Sequence, residues 1–236
     1  MLPPILNLPF PKQDDSMSQS KQTSRRYTPG EEIANSITHG VGVALAIAGL
    51  AILTAFAVLL GDPWHITSCS VFGGTLIFLY MASTLYHGVQ QPRAKSIFRL
   101  LDHSAIFILI AGTYTPFMLV SLRGPWGWSL FGVIWGLAIL GVIFQTTLLQ
   151  KHRALSIIIY LGMSWVVIIA IKPMLANVAP GGLILLGAGG LAYTAGSGFY
   201  AWRRLHFGHA IWHLFVLAGS ILHFFAVLFY VIPLAG

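Results

Sequence analysis

Residues 123–153 read RGPWGWSLFGVIWGLAILGVIFQTTLLQKHR. No side chain between Arg123 and Lys151 carries a formal charge, and the apolar run 128–149 within it matches the roughly 20 residues that a helix needs to cross a bilayer core. Apolar and polar residues do not alternate with a period of two, so a barrel strand is the wrong reading and a membrane helix the right one. The run is bounded by Arg123-Gly124-Pro125-Trp126 and Gln150-Lys151-His152-Arg153, a turn and a charged break.

The same pattern recurs on both sides. Apolar stretches lie at 37–60, 67–88, 100–120, 128–149, 154–171, 182–202 and 209–232. The other breaks are Gly61-Asp62-Pro63-Trp64, Gln90-Gln91-Pro92-Arg93, Lys172-Pro173 and Arg203-Arg204. The spacing predicts an all-α integral membrane protein, a bundle of seven transmembrane helices over residues 31–236. Composition agrees: 56% of the 236 residues are hydrophobic and 8% are charged, against about 25% charged in a soluble domain. That excludes a soluble globular domain, a disordered chain and a nucleic-acid reader. One cysteine, Cys69, leaves neither a disulfide framework nor a thiolate cluster within the chain.

Charge placement orients the helices. If seven helices alternate, Lys12, Lys21, Arg25, Arg26, Arg93, Lys95, Arg99, Lys151, Arg153, Arg203 and Arg204 fall on one side, and Arg123 and Lys172 on the other. Basic residues stay in the cytoplasm, so the amino terminus is expected inside and the carboxyl terminus outside, in a plasma membrane. Residues 1–30, rich in Pro, Ser, Gln and charge, read as a mobile cytoplasmic tail. Met1-Leu2-Pro3-Pro4-Ile5-Leu6 is apolar but too short and proline-rich for a signal-peptide core. Small residues crowd the sixth span (Gly187, Ala188, Gly189, Gly190, Ala195, Gly196, Gly198), and Gly132 and Gly136 form a GxxxG in the fourth; close helix packing is expected at both.

Ionisable residues at membrane depth each need a reason. With the spans alternating, Ser83 and His87 at the end of the second, Asp102 at the start of the third, and His209 and His213 at the start of the seventh all reach one level near the inner face. Ser83 with His87, and His209 with His213, are i, i+4 pairs on one helix face. Two histidines so spaced, with a third from a neighbouring helix, are a common zinc arrangement that leaves one position for water. His87, His209 and His213 are therefore candidate ligands, Asp102 the candidate partner of the water, and Ser83 a polar neighbour. Another divalent metal that accepts three imidazoles would fit the same pattern. His39 and His103 remain open as hydrogen-bond partners of the ligands. His152 and His206 read as wetted loop residues. His223 lies about 15 Å beyond His213 along the helix, too far to share an ion, and reads as a buried hydrogen-bonded histidine.

Ala210 separates this HxxxH from the protease HExxH, and Ser83 lacks a nucleophile elbow. A haem pair on His209 and His223 is the alternative cofactor reading; it lacks a facing histidine near the middle of the bundle, with His65 placed in a loop.

Ser83-Thr84-Leu85-Tyr86-His87, Leu101-Asp102-His103-Ser104 and His209-Ala210-Ile211-Trp212-His213 with His223-Phe224 together resemble the haemolysin III family. This is the bacterial branch of the progestin and adipoQ receptor superfamily, which includes the adiponectin receptors. Glu32-Ile33-Ala34-Asn35-Ser36-Ile37-Thr38-His39-Gly40 and Ala111-Gly112-Thr113-Tyr114-Thr115-Pro116-Phe117 extend the resemblance over about residues 30–232. It implies seven helices with an inside amino terminus and a zinc ion near the cytoplasmic face, held by His87, His209 and His213. Asp102 would hold the water, with Ser83 in the same motif. About 35 residues precede the first helix, fewer than the receptors carry, so adaptor-type signalling is not expected. The superfamily also resembles membrane ceramidases, which implies a lipid amide or ester substrate. The expected function is a zinc-dependent membrane lipid hydrolase, with a membrane lipid as partner and no nucleic acid. The alternatives are a non-enzymatic sensor of membrane state with structural zinc, and a cytolytic or pore-forming protein, as the family's name implies.

Overall fold

The computed structural model describes residues 27–202 and 204–233, and Lys151 by its backbone alone. Lys12, Lys21, Arg25, Arg26, Arg203 and residues 1–26 of the expected tail lie outside the described residues. Among the described residues there is no strand, and seven helical stretches are long and apolar enough to cross a membrane. The helices are α1 (Pro29–Leu60), α2 (Pro63–Gly88), α3 (Pro92–Pro116), α4 (Pro125–Thr147), α5 (Arg153–Ser164), α6 (Ile171–Asn177), α7 (Pro180–Ala201) and α8 (Gly208–Tyr230). α5 and α6 together form one span.

Five spans open on proline in the first turn: Pro29, Pro63, Pro92, Pro125 and Pro180. A proline there loses no intrahelical bond and presets φ. At α1 the Thr28 hydroxyl accepts from the Glu31 amide while the Glu31 carboxylate accepts from the Thr28 amide, a reciprocal cap. Glu31 also accepts from the Phe207 amide at 3.2 Å, which ties the start of α1 to the α7–α8 turn. At the opposite end of the bundle Asp62 caps α2 and pairs with Arg123 at 3.2 Å. Hydrogen bonds from His65 and from the backbone of His65 and Trp64 outweigh the opposing push of desolvation and hold Asp62 at about 2.

α1 packs along α2 and also meets α8, which lies along α7; α1 thus bridges the two ends of the chain. One face of α1 carries Asn35, His39, Gly42, Ala46 and Leu53 inward. The opposite face presents Ile37, Val41, Leu45 and Leu59 to the lipid. The α7–α8 seam uses Gly182, Gly189 and Gly196, the buried residues of α7. They receive Tyr230, His223 and Phe215 of α8.

Several expectations need correction. α1 begins at Pro29, and Tyr27 packs on the rings of His87 and His209, so residues 27–30 belong to the bundle and not to the tail. The break expected at Lys172-Pro173 falls inside α6, and the turn comes later, at Val178–Ala179. Pro173 is tolerated because it sits in the first turn of α6. The real interruption is a tightened segment at 166–170. There the Tyr114 hydroxyl donates to the Ser164 carbonyl at 2.8 Å and accepts from the Val167 amide at 2.9 Å, satisfying backbone groups that lipid cannot. His65 lies in the first turn of α2, not in a loop. Gly132 and Gly136 have no residue against them, so the close packing expected of that GxxxG is not made among the described residues.

Candidate metal centre

α1, α2 and α8 converge at the end of the bundle where α2 finishes and α8 starts. His87, His209 and His213 meet there, with relative exposures of 1%, 8% and 0%. One ring nitrogen from each lies within 4.8 Å of the others, so the three buried imidazoles could hold a metal ion. The two residues of α8 arrive together because i and i+4 share a helix face. His87 arrives from a helix 122 residues away in sequence.

The hydrogen bonds decide which nitrogens are available. The Nδ1 of His87 faces the Glu32 carboxylate at 2.6 Å. A carboxylate only accepts, so Nδ1 carries the proton and Nε2 keeps a lone pair. The Nδ1 of His213 faces the Asn35 carbonyl at 3.2 Å. The Thr38 hydroxyl lies at 3.2 Å from the same nitrogen while donating to the backbone of α1. The lone pair of His213 is therefore also on Nε2, a buried atom with no hydrogen-bond partner. The Nε2 atoms of His87 and His209 are 3.1 Å apart. Two nitrogens bound to one tetrahedral zinc at 2.0–2.1 Å stand about 3.3 Å apart. Donor chemistry, spacing and the orphaned nitrogen all fit a zinc-like ion.

Asp102 and Ser83 are buried, at 2% and 0% exposure, and their side chains are neighbours. The Asp102 carboxylate is not one of the atoms in the convergent group. Asp102 instead lines, with His39, an apolar cavity of about 280 Å³ that runs between α3, α5, α7 and α8. A separate, open vestibule of about 1630 Å³ is bordered by Glu32, Lys95, Arg99, Arg153 and His209. Of the three imidazoles, His209 reaches the vestibule, and none of the three lines the apolar cavity. Tyr27 lines the vestibule, and burial pushes its hydroxyl well above the ordinary tyrosine range.

The two histidines left open do not support the ligands by hydrogen bonds. His39 stacks on His213 with ring centroids 3.5 Å apart and planes at 12°. His103 donates from Nδ1 to the Arg99 carbonyl at 2.8 Å. The supporting role falls to α1, through Glu32, Asn35 and Thr38, which the sequence reading missed. Glu32 is further held by Lys95 of α3 at 2.9 Å. Their spacing was the available signal: Glu32, Asn35 and His39 follow i, i+3, i+7 and share one helix face. His152 and His206 are exposed outside the helices. His223 gives its Nε2 to the Leu186 carbonyl at 3.2 Å and packs against Gly189, an environment without the facing imidazole that a haem pair needs.

These features define a class: a multi-pass helical membrane protein with a buried three-histidine centre able to take a metal. A family model described as Haemolysin-III related matches residues 27–224, and the chain belongs to that family. It is 49% identical over 216 residues to Hemolysin-3 of Bacillus cereus, covering 92% of this chain and 99% of the relative. It is 47% identical over 204 residues to the Hemolysin-3 homolog of Bacillus subtilis (strain 168), covering 86% and 96%. A more distant similarity, 29% over 219 residues, is to the human Monocyte to macrophage differentiation factor, covering 89% and 90%.

Proposed function

We propose that the chain is a zinc-dependent hydrolase of membrane lipids, acting on an amide or ester at the inner side of the bacterial plasma membrane. The observation that carries this reading is the position of the centre. Three buried imidazoles converge within 4.8 Å of one another, His209 borders the open vestibule and Asp102 lines the apolar cavity, an arrangement that suits a lipid with a polar head and an apolar tail. The orientation is supported by charge: Arg93, Lys95, Arg99, Arg153 and Arg204 lie at the end of the bundle that carries the centre, and Arg123 and Lys172 at the other.

His87, His209 and His213 would hold the metal, which when bound supplies Lewis acidity toward a carbonyl and toward water. Glu32, Asn35 and Thr38 fix the two Nδ1 protons and so keep Nε2 of His87 and His213 free. Asp102 accepts the proton of the attacking water and returns it to the leaving group, general acid–base work. Ser83 is the polar neighbour of that carboxyl. The apolar chamber excludes water from the acyl side and holds the chain.

A structural metal in a membrane-state sensor is the second reading, because the three ligands clamp α2 to α8. The test compares wild type, Asp102→Ala and His209→Ala in detergent, measuring bound zinc and release of fatty acid from lipid amides and esters. About one zinc per chain is expected in wild type and Asp102→Ala, none in His209→Ala, and turnover only in wild type, lowered about 10²–10⁴-fold by the Asp102 change. Equal hydrolysis in wild type and Asp102→Ala refutes the enzyme reading. Zinc loss that lowers Tm, with no lipid consumed by any protein, establishes the sensor instead.

A further inference from the structure

His223 takes no part in the metal centre. It lies ten residues beyond His213 on α8, about 15 Å further along the axis, yet it lines the same cavity as Asp102 and His39. Its exposure is 6%. Nε2 donates to the Leu186 carbonyl at 3.2 Å, so the lone pair is on Nδ1. That atom is buried and has no hydrogen-bond partner. The neighbouring hydroxyls are already engaged: Tyr80 and Tyr193 both meet the Ser220 hydroxyl, at 2.7 and 2.9 Å, and Tyr193 offers His223 only its ring, 5.4 Å away.

The imidazole is accommodated on purpose. A Cβ on Gly189 would run into the His223 ring, so α7 needs glycine there for the ring to reach Leu186. Between Asp102 and His223 the cavity wall is apolar, with Ile106, Ile110, Val216 and Leu183 among its residues. A buried acceptor without a donor is costly, and a charged donor is worse in such surroundings. A neutral donor carried on a hydrocarbon chain meets both conditions.

We propose that this cavity is a binding site for an acyl chain bearing a hydroxyl group. The hydroxyl donates to His223 Nδ1 while the polar end of the lipid lies at Asp102, at the other end of the cavity. The proposal rests on the lipid-hydrolase reading and narrows its substrate class to hydroxyacyl lipids. The axial span of about 15 Å sets the position of the hydroxyl, a medium-length chain away from the carbonyl.

The test uses the full chain in detergent and the fluorescence of Trp165 and Trp212, which line the cavity. A series of ω-hydroxy primary amides of rising chain length is titrated beside the unhydroxylated amides. One neutral hydrogen bond corresponds to roughly five- to tenfold in affinity, so at one chain length the hydroxyamide should bind tighter by that factor. In His223→Phe the preference should reverse, because the hydroxyl is then buried unpaired; His223→Leu serves if the Phe variant does not fold. Equal binding at every length in wild type overturns the proposal, and is the result expected if a water already satisfies Nδ1. A preference that survives both variants also overturns it. Hydrolysis of both amide series at equal rates, without a binding preference, leaves the hydrolase reading intact and removes this one. A preference without any hydrolysis supports the hydroxyl subsite and removes the hydrolase reading.

Discussion

Glu32→Gln isolates what α1 contributes to the centre. The Glu32 carboxylate accepts hydrogen bonds from His87 Nδ1 at 2.6 Å and from the Lys95 ammonium at 2.9 Å, and its side chain is 13% exposed. Glutamine keeps the length and an acceptor oxygen but removes the charge. The His87 imidazole becomes a weaker base, and Lys95 loses its counter-ion. Changes to such supporting groups typically cost 10–100-fold in metal affinity, or about 1.4–2.7 kcal/mol. A charge-assisted hydrogen bond is worth about 1.5–3 kcal/mol and a neutral one about 1 kcal/mol, so the lower part of that range, about tenfold, is expected. Competition for zinc against a chelator of known affinity measures it, with His209→Ala as the zero and Glu32→Asp as the charge-retaining control. Zinc affinity should fall in the order wild type, Glu32→Asp, Glu32→Gln. Affinity unchanged within about threefold in Glu32→Gln, with only the metal-free Tm lowered, would mean that Glu32 merely ties helices together and that the tautomer argument is wrong.

Two further outcomes test the frame around the site. Gly189→Ala places a methyl group against the His223 ring, and overpacking of this kind costs about 1–3 kcal/mol. Thermal unfolding in detergent should show most of that loss recovered in Gly189→Ala/His223→Ala, whereas additive losses would show that the ring is not the obstacle. At the other end, Asp62 has a folded value of about 2, below its unfolded value of about 3.9. A depressed carboxylate contributes stability that is fully present above about pH 4 and is lost as pH falls through about 2. The side chain is 41% exposed, so solvent screening keeps the contribution under about 1 kcal/mol. Wild type should lose that margin over Asp62→Asn between about pH 4 and 2 in Tm measurements; a constant difference would assign the effect to something other than this carboxylate.

The sequence alone determined the class of fold and the central three residues. Long uncharged runs such as 128–149 must bond every backbone group in lipid, as a helix or a closed barrel, and without a period-two alternation only the helix remains. Histidines at i, i+4 share a face by helix geometry alone, so His209 and His213 were legible as a pair. His87 joined them through the arithmetic of alternating spans, which carries depth but not angle. What that arithmetic could not supply is which face of each helix turns inward and which helices touch. α1 closing against both α2 and α8 brings Glu32, Asn35 and Thr38 onto the converging imidazoles. Spacing puts Glu32 and Asn35 on one face of α1, but no local pattern says which imidazoles that face meets, because a hydrogen bond between distant helices depends on rotation about both axes. The same holds for Asp102, whose depth followed from its place in the third span but whose position on the cavity wall, beside Ser83, did not. Gly132 and Gly136 make the point in reverse. Their spacing suits close packing, yet they face no other helix among the described residues, while Gly182, Gly189 and Gly196 receive α8. Spacing sets which residues share a face; only the packing of the whole bundle decides what that face meets.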